Sequence, residues 1–192
     1  MKKSGNFTIF LDRDGVINED SPNYIKCVDE FCLIDGSAKA IALLNQNGFD
    51  VIIITNQSAI GRAMVTYEEL YKIFAKMKKE VKDAGGFIKD IFFCPHLPED
   101  CCSCRKPLPG LILKAVQKYG IDLNRSCMVG DSKKDIECSH NAGCRYSVLV
   151  RTGNGLGVEA TKLNPSPDFV ADNLMEAARW LVSFFGVIKA LY

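Results

Sequence analysis

The sequence carries no large excess of either charge. Its 24 Lys and Arg stand against 23 Asp and Glu, a formal net charge of +1, so nothing electrostatic draws it to nucleic acid or to an anionic membrane. A basic stretch interleaved with aromatics is missing too, which argues against nucleic-acid ends as a substrate. Long apolar runs are absent: none approaches the roughly 20 residues that cross a bilayer. Met1 to Asn6 lead straight into the first apolar run, with no apolar segment and cleavage site ahead of it, and the expectation is a cytoplasmic protein. There is no internal repeat, low-complexity tract or linker. With 192 residues, the expectation is a single domain, 1–192, with a sizeable core, acting as a monomer. Histidine is scarce, at two residues, but cysteine is not. Nine cysteines are an odd number and many for this length, which in a cytosolic enzyme suggests metal binding before disulfides.

The chain is organised around Ile9-Phe10-Leu11-Asp12-Arg13-Asp14-Gly15-Val16-Ile17-Asn18. The apolar run from Phe7 to Leu11 reads as a buried strand. It ends in two carboxylates two residues apart, which point the same way if extension continues. Like charges converging there repel, and a bound cation would relieve them. Gly15 lets the backbone turn sharply after the pair.

Strands and helices then alternate. A polar loop from Glu19 to Tyr24 precedes a helix from Ser37 to Asn47, closed by Asn47-Gly48. Asp50 to Thr55 reads as a central parallel strand, apolar on both faces and ending in Thr55-Asn56-Gln57-Ser58. Thr66-Tyr67-Glu68-Glu69 fits a capping box opening a helix that stops at Gly85-Gly86. Phe87 to Phe93 is a third strand. A cysteine-dense loop from Cys94 to Lys106 follows, then a helix from Pro109 to Tyr119 with Gly120 past its end. Cys127 to Val129 forms a strand ending in Gly130-Asp131-Ser132, and a short helix runs from about Asp135 to Ala142. Tyr146 to Val150 is another strand, followed by a Gly-rich loop, Thr152 to Gly157, and a last helix spans about Asn173 to Phe185. This order predicts an α/β fold with a doubly wound, mostly parallel sheet. Ligands bind beyond the carboxyl ends of such strands, and polar clusters stand at three of those ends: Asp12/Asp14, Thr55/Asn56 and Asp131.

Three carboxylates with no histidine nearby suit a hard cation such as Mg²⁺, which takes oxygen ligands and keeps several waters. A carboxylate can be the nucleophile that forms an acyl phosphate. Phosphoryl transfer needs positioning and charge neutralisation, for which the chain supplies Lys106 and Thr55. A second carboxylate two residues beyond the nucleophile can protonate the leaving oxygen and then activate water.

Asp12-x-Asp14-Gly15, Thr55, Lys106 and Gly130-Asp131-x-x-x-Asp135 occur in the order of the four motifs of the haloacid dehalogenase superfamily of phosphatases, and the resemblance covers roughly residues 7 to 155. It implies a Rossmann-like fold. It also implies Asp12 as nucleophile, Asp14 as general acid and base, and Thr55 and Lys106 as ligands of the phosphoryl oxygens. Mg²⁺ would be held by Asp12, Asp131 and the backbone carbonyl of Asp14. Val16 replaces a threonine common in the family, at a position with none of these roles. No insertion large enough to be a cap domain separates the motifs. Intact Asp12, Asp14, Lys106 and Asp131 argue against a binding module that has lost catalysis.

Within the cysteine loop, 94–106, Cys94-x-His96 and Cys102-x-Cys104 supply three thiolates and one imidazole. That set closes a tetrahedral Zn²⁺ site with no open position, so the zinc is expected to be structural. Cys101 competes with Cys102, but the C-x-C spacing favours Cys102. Cys27, Cys32, Cys127, Cys138 and Cys144 read as small core residues, and His140 as a surface or packing histidine. The loop followed by Arg105-Lys106-Pro107 resembles the superfamily branch that holds sugar bisphosphate phosphatases and histidinol phosphatases. The expected substrate is a small phosphorylated sugar. With no cap, specificity falls to short loops. Asp20 and Asn23 in the loop after Asn18, Asn56 after the second strand and Arg105 in the zinc loop are the candidate substrate ligands. Adjacent side chains of an extended segment diverge. With Lys106 on the reacting phosphoryl group, Arg105 is free for a distal phosphate or hydroxyls, or for pairing with a carboxylate of this acidic edge.

Overall fold

Five of the six strands follow directly from the apolar runs. The computed structural model describes residues 6–190, with side chains through residue 185. Phe7–Leu11 forms β1, buried along its whole length. It lies at the centre of an all-parallel sheet, flanked by β2 (Phe49–Asn56) and β4 (Ser126–Gly130). β3 (Asp90–Cys94) lies outside β2, and β5 (Tyr146–Val150) and β6 (Phe169–Ala171) lie outside β4. The order is β3-β2-β1-β4-β5-β6. The chain therefore winds outward from β1 in one direction and then returns to wind in the other. The reversal between β1 and β4 leaves a crevice at their carboxyl ends, where doubly wound sheets bind ligands.

Alternation along the strands sends residues to two cores. Ile9 and Leu11 with Val51, Ile53, Val129 and Val148 face α1 (Ser37–Gln46), α3 (Tyr67–Asp83) and α6 (Leu174–Ala190). Phe10, Ile52, Ile54 and Met128 face α4 (Gly110–Tyr119) and α5 (Lys133–Ala142). The Thr66 hydroxyl accepts from Glu69 N at 3.1 Å, but the Glu69 side chain does not complete the box; it reaches Val28 N and Lys72 instead. One turn of helix, α2 (Ser58–Gly61), continues from β2.

The structure differs from the sequence reading at edges. β3 begins at Asp90, not Phe87: Phe87 is exposed and its backbone N–H is taken by Asn45 Oδ1 at 2.6 Å, so it turns with the loop and does not pair. β6 is three residues long, too short to show a period. α6 runs on to Ala190, and Phe185 packs on Phe7 at a centroid distance of 4.0 Å. Residues 191 and 192 lie outside the described residues. Of the five cysteines read as core, Cys127 and Cys138 are fully buried, Cys27 and Cys144 half-buried, and Cys32 exposed. Phe31 beside it takes the buried position in that loop. His140 is exposed. No domain-sized insertion interrupts the described residues, and none of their helices is long and apolar enough to cross a membrane.

Candidate active site

Register brings the motif residues together. Leu11 pairs with Ile53 of β2 and Val129 of β4, so Asp12 and Asp131 emerge just past the ends of β1 and β4, beside Thr55 in the last residues of β2. Asp12 N donates to Val129 O at 3.0 Å, carrying the β1–β4 ladder one residue beyond β1. Carboxylate oxygens of Asp12, Asp131 and Asp135 lie within 4.8 Å of one another. Lys106, almost wholly buried, places Nζ 2.8 Å from Asp12 Oδ1 and 2.6 Å from Asp135 Oδ1.

The electrostatics follow from that crowding. Burial pushes the Asp12 carboxyl up to about 8; Lys106 pulls it down, and Asp135 and Asp131 push it up. Burial and the neighbouring Asp135 raise Asp131 to about 6, against the hydrogen bonds from Asn154. Burial opposes the charge on Lys106, but Asp12 and Asp135 outweigh it and hold the ammonium above its usual range. Three carboxyl groups crowd one ammonium in a shielded pocket, so acidic groups outnumber the basic one. A divalent cation with oxygen ligands balances that excess, so the donor set fits Mg²⁺.

Each member of the cluster is held in place. Asp131 Oδ2 accepts from the backbone and side-chain nitrogens of Asn154 at 2.8 and 3.1 Å. Gly15 and Gly153, both at positive φ, press on the same carboxylate: a Cβ on Gly15 would stand 2.8 Å from Asp131 Cγ. The Thr152 hydroxyl donates to Gly15 O at 2.5 Å, tying the Gly-rich loop to the β1 turn. Asp135 spends its second oxygen on Ser132, accepting from its backbone N–H at 3.1 Å and its hydroxyl at 2.6 Å at the start of α5. With Lys106 on the other oxygen, its evident work is to seat the lysine. Asn56 spends both amide atoms on the Lys106 backbone: Oδ1 accepts from its N–H at 3.0 Å and Nδ2 donates to its carbonyl at 3.2 Å. Asp14 sits beside the cluster. Its Oδ1 accepts from Arg13 and Asn18, and its Oδ2 from Gln57, whose Nε2 also donates to Thr55 Oγ1 at 2.9 Å.

Of the remaining expected ligands, Asp20 and Arg105 stand beside the cluster, whereas the bonds of Asn23 stay within its own loop. Asp20 is exposed and accepts from Asn154 Nδ2 at 2.9 Å, a link from the first loop to Asp131. Asn23 is exposed, and among the described residues only its backbone has partners: its N–H donates to Ser21 Oγ at 3.2 Å and its carbonyl accepts from Lys26. Arg105 Nη1 donates to His96 O at 3.2 Å, and among the described residues no carboxylate pairs with it. The Tyr24 hydroxyl accepts from Arg62 Nε at 3.0 Å. Its bond with Ser58, then Arg62 and the field of Arg105, outweigh burial and hold the phenol below its usual range.

Arg13, Asn18, Gln57, Asn154 and Asp135 are absent from the sequence-based set of site residues. Asp135 was quoted in the fourth motif without a role of its own, and it also had a signal, Ser132-x-x-Asp135 at a helix start. Arg13, Asn18 and Gln57 had none beyond adjacency to a motif, and Asn154 none beyond its place in the Gly-rich loop.

Cys94, His96, Cys102 and Cys104 also converge, with ligand atoms within 4.8 Å of one another. Cys94 Sγ lies 3.2 Å from Cys104 Sγ and 3.5 Å from both Cys102 Sγ and His96 Nδ1. Thiolates around a tetrahedral zinc stand about 3.8 Å apart, so these four fit one with little adjustment, and Cys101, exposed, is outside the set. Burial and the bond with Cys104 push the Cys94 thiol up to about 12, so a cation is what would keep it a thiolate.

The comparisons agree with this geometry. Residues 103–177 match the family model for HAD-hydrolase-like proteins. The chain is 39% identical over 176 residues to D-glycero-beta-D-manno-heptose-1,7-bisphosphate 7-phosphatase of Neisseria meningitidis serogroup A, covering 91% of this chain and 94% of that protein. Its identity to the enzyme of that name from Pseudomonas aeruginosa is 41% over 174 residues, 91% of this chain and 97% of that one. Among solved structures, D,D-heptose 1,7-bisphosphate phosphatase from B. bronchiseptica, complexed with magnesium and phosphate, superposes with a TM-score of 0.87 at 40% identity, over 92% of this chain and 98% of that one. From strand order, converging motifs and these relatives together, the chain belongs to the haloacid dehalogenase-like phosphatases, which are phosphoric monoester hydrolases.

Proposed function

We propose that this phosphatase removes the 7-phosphate of D-glycero-D-manno-heptose 1,7-bisphosphate through an aspartyl-phosphate on Asp12, supplying a precursor for nucleotide-activated heptose and lipopolysaccharide. The observation that carries the substrate is likeness at about 40% identity, over nearly full length, to enzymes of that name, one of them solved with magnesium and phosphate.

The residues support a division of labour. Asp12 attacks phosphorus, with the Lys106 ammonium beside it to take up charge on the phosphoryl oxygens and the Thr55 hydroxyl as a further donor. Asp14 gives its proton to the departing sugar oxygen and recovers one from the water that hydrolyses the intermediate. Mg²⁺, held by Asp12, Asp131 and the Asp14 carbonyl, would supply neutralisation of phosphoryl charge. Zn²⁺, held by Cys94, His96, Cys102 and Cys104, would fix the loop that carries Arg105 and Lys106 and would do no chemistry. The distal phosphate falls to Arg105, whose guanidinium shares the neighbourhood of the Tyr24 hydroxyl with Arg62. Two cations at the mouth suit a bisphosphate and repel the cationic end of histidinol phosphate, the competing substrate.

The test is kcat/KM on the heptose bisphosphate, histidinol phosphate and a small generic ester, for the native protein and Arg105→Ala. The native protein should prefer the bisphosphate, and the variant should lose far more on it than on the generic ester. Equal losses, or better turnover of histidinol phosphate, overturn the assignment. Near-normal turnover by Asp12→Asn overturns the covalent mechanism.

A further inference from the structure

We propose that Arg13 is a positioning residue: it holds Asp14 by one carboxylate oxygen and leaves the other to carry the proton. The proposal rests on Asp14 acting as general acid and base.

Arg13 stands between the two motif carboxylates, yet its side chain is only 1% exposed. Its guanidinium carbon lies 5.9 Å from the centroid of the Phe74 ring on α3. A guanidinium is costly to bury unless its charge is matched. Here Nε donates to Asp14 Oδ1 at 3.0 Å and Nη2 donates to the same oxygen, while Nη1 has no partner among the described residues. Asn18 Nδ2 adds a third bond to that oxygen at 3.0 Å. Each carboxylate oxygen offers about two lone-pair sites, so Oδ1 is fully occupied. Among the described residues Oδ2 accepts only from Gln57 Nε2, at 2.9 Å, and that nitrogen also donates to Thr55 Oγ1, on the proposed phosphoryl side of the site. Oδ2 is thus the oxygen with capacity left, and it faces the residues that would hold the phosphoryl group.

The guanidinium is not needed to close the turn. That is done by the backbone, where Arg13 O accepts from the N–H groups of Val16, Ile17 and Asn18 at 3.3, 2.8 and 3.2 Å. A neutral residue could occupy the same turn. The buried charge is spent on the orientation of Asp14.

The step it serves balances as follows. An Asp12 oxygen bonds to phosphorus while the bond from phosphorus to the sugar oxygen breaks; the electron pair stays on that oxygen and the Asp14 Oδ2 proton joins it. Water then bonds to phosphorus and passes a proton to Asp14 Oδ2, and the bond to Asp12 breaks. Inorganic phosphate leaves, and both carboxylates return to their first state. Misaiming Oδ2 harms the first half most when the leaving oxygen is strongly basic, because a nitrophenolate departs without a proton and an alkoxide does not.

The experiment measures kcat/KM for Mg²⁺-loaded protein over aryl phosphates of rising leaving-group basicity and one alkyl phosphate. Arg13→Lys keeps the charge but loses the two-point hold. It should lose about ten- to a hundredfold on the alkyl phosphate and less than about threefold on 4-nitrophenyl phosphate, tilting the plot. Circular dichroism and Tm report whether the variant is folded. If it is not, Arg13→Gln, whose single amide nitrogen cannot give the same oxygen both bonds, must tilt the plot in the same sense. Equal loss across the series, or none, in the folded variant overturns the proposal. Asp14→Asn is the reference. If it tilts the plot and Arg13→Lys does not, only this inference fails. An untilted Asp14→Asn plot means that Asp14 is not the acid, and both readings fail.

Discussion

Replacing Gly15 by alanine tests how tightly the turn after β1 is pressed against Asp131. Gly15 has φ 77°, and a side chain in that left-handed region costs about 1–2 kcal/mol. For a chain of this size each kcal/mol lowers Tm by about 2–4 °C. Gly120, past the end of α4, has φ 64° and nothing within 4 Å of where its Cβ would go. Gly120→Ala therefore carries the strain alone: Tm should fall by about 2–8 °C, with phosphatase activity unchanged. Gly15→Ala adds a collision, since its Cβ would stand 2.8 Å from Asp131 Cγ and 3.1 Å from Gly153 Cα. Carbon atoms settle about 3.5–4.0 Å apart, so the carboxylate or the turn must move by roughly 1 Å. A displacement of that size in a reacting constellation costs on the order of a hundredfold. Thermal melts should show Gly15→Ala below Gly120→Ala. Steady-state assays should show kcat/KM down about a hundredfold and a higher Mg²⁺ requirement. Near-native activity in Gly15→Ala, with a melt equal to that of Gly120→Ala, would refute the argument that this glycine exists for close approach.

Three further outcomes are expected. The fold favours the neutral forms of Asp12, raised to about 8, and Asp131, raised to about 6. Metal-free protein should therefore lose stability as pH climbs from 6 to 8, while Mg²⁺ affinity rises over that window with about one proton released per ion near pH 7; calorimetric titration in buffers of different ionisation enthalpy checks this, and zero proton release contradicts it. Protein purified without chelator should hold one zinc per chain and still need added Mg²⁺ for turnover, and metal analysis that finds no zinc ends that reading. Asn154→Ala removes one of the two bonds to Asp131 and the link to Asp20, and should weaken Mg²⁺ about 10–100-fold with little change in Tm; an unchanged affinity by titration refutes it.

The sequence alone was enough for the architecture and for the motif ends. An apolar run such as Phe7 to Leu11 can only be buried, and five such runs separated by helical periods admit few arrangements besides a parallel sheet with both faces covered. Asp12, Thr55 and Asp131 were legible because each ends a strand, and parallel strands in register bring their carboxyl ends to one edge. The convergence of Cys94, His96, Cys102 and Cys104 was legible because Cys94-x-His96 and Cys102-x-Cys104 have ligand spacing whatever the fold. What only the tertiary structure decided are the relations between elements distant in sequence. Asn154 reaches Asp131 across 23 residues, Asn56 grips Lys106 across 50, and Gln57 meets Asp14 across 43; none of these has a local period or spacing that announces it. Arg13 was hidden for a different reason: an arginine between two aspartates looks like a solvated charge, and only packing against Phe74 turns it into a buried one. Local sequence sets which face a side chain takes within its own strand or helix, but its partner is set by where the other elements dock. Hydrogen bonds and ion pairs depend on distances that exist only once the sheet is assembled.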